Sequence, residues 1–81
     1  MNEYLIKKLK DERIRMFPVG WEDFVNKNPE IPVQDRLIMH LKNEAYDPLI
    51  KLIEGLNGET SYEEAHKWIA QYVWFHIKKY M

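Results

Sequence analysis

The sequence predicts an all-α fold, a compact bundle of four to five short helices closed by a long, aromatic-rich C-terminal helix. Three observations carry that expectation. Apolar residues recur at helical spacing in each stretch between prolines and glycines. No stretch alternates apolar and polar residues as a half-buried strand would. Hydrophobic residues make up 46% of 81 positions, with only 3 Gly and 4 Pro, a composition that folds rather than stays disordered. A chain of this length is one domain, 1–81, with a small core that needs dense burial or a partner.

The elements follow in order. Residues 2–16 read as a first helix with Tyr4, Leu5, Ile6, Leu9 and Met16 as its apolar stripe. Arg13 interrupts the stripe and is expected at the core edge with its stem packed. Phe17-Pro18 ends the helix, because a residue before proline avoids helical dihedrals. Residues 20–28 read as a short second helix, with Trp21, Phe24 and Val25 at i, i+3, i+4. Pro32 is suited to the first turn of a third helix, whose apolar face is Val33, Leu37, His40 and Leu41. Asp47-Pro48 reads as the start of a fourth, with Asp47 capping and Pro48 preset for the first turn. Its stripe is Leu49, Leu52, Ile53 and Leu56. Asn57-Gly58 is expected to supply a left-handed terminating residue. Thr60 and Ser61 each precede a Glu by three residues, Glu63 and Glu64, so either pair makes a capping box for the last helix.

That last helix is the informative one. On a helical wheel, apolar and aromatic side chains from Phe75 through Trp68, Tyr72 and Ile69 to Trp74 cover roughly 260°. A bundle helix buries a stripe little wider than about 100°, and so small a chain can scarcely enclose a central helix. Trp74 and Phe75 lie at the two edges of the arc. With Trp68 and Lys78 they are the candidate partner-binding residues, since Trp and Tyr anchor many interfaces.

Charge is near balance, with 12 basic and 13 acidic residues, but its layout is uneven. Residues 1–16 carry +2, residues 17–66 carry −6 and residues 67–81 carry +3. Acids near helix starts and lysines near helix ends suit the macrodipole. A second reading gathers Lys7, Lys8, Lys10, Arg15 and Lys79 into a basic surface for nucleic acid, provided that the terminal helices adjoin. The segment 32–56 has a helix-turn-helix outline, but its second helix carries one cation, Lys51, and little to read bases with.

Catalytic chemistry finds little footing. There is no Cys, so neither disulfide, thiolate metal site nor Cys nucleophile exists. Ser and Thr number one each, Ser61 and Thr60, and both are explained by capping. No glycine spacing matches a phosphate loop. Glu63-x-x-His66 occurs once, where carboxylate-bridged metal bundles need two copies and further Glu ligands. His40 and Glu44 are spaced to pair with each other, and His76 is expected among packed apolar groups. Asp11-Glu12, Glu22-Asp23 and Glu63-Glu64 read as solvated faces. Neither metal nor cofactor is expected.

The N-terminal MNEYLIKKLKDERIRMF lacks the apolar stretch of a secretory signal, no run approaches a membrane span, and a cytoplasmic setting is expected. The Lys-, Ile-, Tyr- and Asn-rich, Cys-free style looks like that of small open reading frames from low-GC bacteria and phages. That likeness implies a regulator or inhibitor occupying a larger protein. The expected role is thus a non-enzymatic interaction module that binds another protein, or a second copy of itself, through the C-terminal helix.

Overall fold

The computed structural model describes residues 2–80. It is all-α: α1 spans Glu3–Met16, α2 Trp21–Lys27, α3 Val33–Glu54 and α4 Tyr62–Ile77, with a 3-10 turn at Lys78–Tyr80. No strand occurs among the described residues, and none of their helices is long and apolar enough to cross a membrane.

Three long helices build the core. In α1, Leu5 and Leu9 are buried. In α3, Leu41, Ala45, Tyr46, Leu49, Ile50 and Ile53 are buried, and in α4 Ala65, Ile69, Val73 and Ile77. These steps of three and four residues keep one face of each helix inward. Arg13 of α1 meets Asn43 and Asp47 of α3, while Asn2 reaches Gly58, so α1 runs antiparallel to α3. Lys8 and Glu12 meet Tyr62, and Glu12 also meets His66, so α1 runs parallel to α4. The α3–α4 pair is therefore an antiparallel hairpin, with α1 alongside the half nearest its connecting loop.

Two expectations about punctuation are corrected. Asp47-Pro48 does not begin a new helix; α3 runs through Pro48 without a break. Pro48 faces solvent, where water can satisfy the carbonyl that its missing N–H leaves free, and the buried face continues from Ala45 to Leu49 across it. Asp47 takes the Arg13 guanidinium instead of capping. Gly58 is not left-handed: α3 ends at Gly55, whose N–H bonds back to Lys51 and Leu52, and among the described residues only Gly20 has a positive φ, 89°. That conformation, which resists side chains, turns the chain into α2.

Other caps match the sequence more closely. Ser61 Oγ accepts from the Glu64 N–H at 3.1 Å and starts α4. Pro32 stands one residue before α3. Asn2 pins the loop before α4, donating to Gly58 O and accepting from the Thr60 N–H. The expected stripes are narrower than their sequence. Tyr4, Met16, Phe24, Val33, Leu52 and Leu56 are exposed. Short α2 is held by buried Val25, by Phe17 edge-on to Trp21, and by Arg36, which donates to the Asn28 and Ile31 carbonyls.

Candidate docking surface

The C-terminal half of α4 packs on α3 through Val73 and Ile77, leaving the flanks of the helix uncovered. Trp74 is 61% exposed and Phe75 64% exposed, on opposite sides of the helix's outward face. Each ring carries a lysine one turn later: Lys78 Nζ lies 4.8 Å from the Trp74 ring centre and Lys79 Nζ 5.4 Å from that of Phe75. The i, i+4 spacing produces both contacts, each worth about 0.5–1 kcal/mol at an exposed site.

Behind these rings runs a ladder of half-buried aromatics. Trp68 stacks on Tyr72 at 5.4 Å, Tyr72 lies 4.2 Å from His76, and His76 meets Phe75 edge-on at 5.4 Å. Trp68 and Tyr72 also pack against the core. Of the four residues expected to bind a partner, Trp74, Phe75 and Lys78 thus share the exposed face, and Trp68 supports it from within. His76 is half-buried in this ladder rather than fully packed. No acid occurs from Ala65 to the chain end, so the face offers rings and cations together.

The basic residues proposed for nucleic acid do not gather in one place. Lys8 lies over the Tyr62 ring at 4.2 Å, and Lys7 pairs with Asp11 at 3.5 Å. Lys10 lines the groove between α1 and α3, and Arg15 is exposed farther along α1. This register sets Lys7 and Lys8 beside the start of α4 and Lys79 at its end, about 24 Å away along the axis at 1.5 Å per residue.

The sequence reading missed a polar cluster at the junction of all three long helices. Glu12 is only 7% exposed, not a solvated acid. Its Oε2 accepts from Tyr46 Oη at 3.0 Å and lies 3.0 Å from His66 Nε2, and its Oε1 accepts from Tyr62 Oη. An ionised carboxylate only accepts, so the network assigns the Nε2 proton of His66 as the donor. Burial first, then the hydrogen bond and charge of Glu12, push the Tyr46 hydroxyl well above the ordinary phenol range. The Glu12 hydrogen bond, then burial, pushes Tyr62 up as well. The signal was present: position 12 continues the Leu5–Leu9 spacing, where an apolar residue belongs. His66 therefore answers to Glu12 rather than to Glu63, which is exposed.

His40 pairs with Glu44 at 2.9 Å on the surface, and no metal-binding group of three or more His, Cys, Asp or Glu occurs among the described residues. A shallow groove opens between the end of α1 and α2, lined by Met16, Val19, Trp21, Phe24 and Met39. Comparison with family models, curated proteins and solved structures returns no match.

Proposed function

We propose that this chain is a non-enzymatic binding module that docks a protein partner through the outward face of the C-terminal half of α4. The observation that carries the reading is the pair of large rings, Trp74 and Phe75, standing more than half exposed under Lys78 and Lys79. Large exposed rings are the anchors that give interfaces most of their energy once desolvated. The lysines fix the chemistry of the partner surface as apolar with an acidic rim, which also speeds encounter. The groups best placed for acid–base chemistry, Glu12, Tyr46, Tyr62 and His66, are committed to one another inside the bundle, which supports a binding role over catalysis. A regulator that acts by occupying its target fits this surface, and the Cys-free chain suits a cytoplasmic setting.

The test is capture from a lysate by the wild type and by the Trp74→Ala/Phe75→Ala variant, followed by direct binding to each captured protein. A partner whose affinity falls at least tenfold in the variant is expected. A partner held equally by both contradicts the reading. Tight binding to a single-stranded oligonucleotide, with the steep salt dependence of phosphate contacts, would replace it with the nucleic-acid reading.

A further inference from the structure

We infer that the surface which α4 fits is a second copy of this chain. Each α4 seats in the groove beside α2 of the other copy, so that a two-fold dimer is closed by two identical contacts. The inference rests on the reading of α4 as the docking face and names its occupant.

The groove has the complementary chemistry. Val19 is fully exposed at its mouth, and Phe24, 61% exposed, forms a wall with Met16, Trp21 and Met39. Glu22 and Asp23, both exposed, stand on the first turn of α2 next to it. Residues 16–39, the span that supplies the groove's lining, carry four acids against Lys27 and Arg36, a charge of −2, while residues 65–81 carry +3. Rings under cations on α4 thus face an apolar floor with carboxylates at its edge. Each surface is too polar to be core and too apolar to be indifferent to burial.

Position also favours reciprocity. Arg36 binds the carbonyls of Asn28 and Ile31, which ties the end of α2 to the first turns of α3. The antiparallel hairpin brings the end of α4 to that same end of the molecule. Both halves of the contact therefore lie at one pole. A single contact would leave one groove and one α4 face open on every chain and would propagate, whereas a two-fold arrangement uses both and stops.

Sedimentation equilibrium on the full chain tests the inference. The wild type is expected to double its 9.9 kDa mass as concentration rises. Lys78→Glu/Lys79→Glu, which puts acids against acids, and Glu22→Lys/Asp23→Lys, which puts cations against cations, should each remain monomeric. An equimolar mixture of the two variants restores opposite charge at both contacts and should recover the doubled mass. Val19→Lys, on an exposed turn outside any helix, should also abolish association, which keeps the test decisive if reversal on short α2 disturbs folding. A wild type that stays monomeric throughout, or a dimer unaffected by Val19→Lys or by the lysine reversals, overturns the inference. A monomer that still loses another captured partner on Trp74→Ala/Phe75→Ala overturns the self-association alone. A dimer and a captured partner both indifferent to that variant overturn the docking face as well.

Discussion

Glu12 shows how one residue joins three helices. A buried carboxylate is tolerated when every oxygen is bonded, and here Tyr46, Tyr62 and His66 supply the donors. Removing the carboxylate leaves Tyr46 only the weak thioether acceptor of Met16 and takes their shared acceptor from Tyr62 and His66, so Glu12→Ala is expected to cost about 2–3 kcal/mol. Glu12→Gln, which keeps one acceptor and can donate to a hydroxyl, should cost about 1 kcal/mol. Urea midpoints measure both, and equal losses would contradict the network. The tyrosines make a second prediction. Their raised values mean that the folded chain holds both protons more tightly than the unfolded chain, whose tyrosines ionise near 10. The stability they contribute is complete below about pH 10 and is lost as pH rises through the folded values. Tyrosinate absorbance should therefore lag in the folded protein relative to the chain in urea, and Glu12→Gln should shorten the lag. At this scale the sequence was only partly legible. The spacing of Leu5 and Leu9 points to position 12, but only the positions of α3 and α4 reveal that hydroxyls and an imidazole wait there.

At the scale of elements, punctuation proved the least legible feature. Pro48 after Asp47 has every local property of a helix start, yet α3 passes through it. Tertiary packing overrides the local signal: Leu41, Ala45, Leu49 and Ile53 form one continuous buried face, and splitting the helix would surrender it. Proline inside a helix still costs about 3 kcal/mol relative to alanine. Pro48→Ala is therefore expected to stabilise the chain by about 1–3 kcal/mol, as its exposed position leaves room for the new N–H to reach the Glu44 carbonyl. A lower urea midpoint for that variant would mean that the chain does break there. Signals backed by a side-chain hydrogen bond read true, as Ser61 shows at the start of α4. The left-handed residue expected at Gly58 was not needed, because the Gly55 N–H already bonds back to the carbonyls of the last turn.

The whole molecule is thin and long, 43 × 27 × 17 Å, with a Cα radius of gyration of 13.9 Å against about 12 Å for a compact chain of this length. Its short dimension leaves no room to surround α4. The breadth of the apolar arc on that helix was visible in the sequence, and it corresponds here to rings that core formation does not use. The helical wheel also placed Trp74 and Phe75 at the edges of that arc, where the structure exposes them, but it grouped Trp68 with them, and only the packing of α4 on α3 shows that Trp68 lies against the core. The same register separates Lys7 and Lys8 from Lys79, so the charge map of the surface became legible only with the helices in place. A docking face on α4 requires that Trp74 and Phe75 be surplus to folding. Urea unfolding of Trp74→Ala/Phe75→Ala tests this most directly. A loss of about 1–2 kcal/mol is expected, that of two exposed cation–π contacts. A loss of about 3–5 kcal/mol, the cost of truncating a core aromatic, would show that the rings hold the fold together and would contradict it.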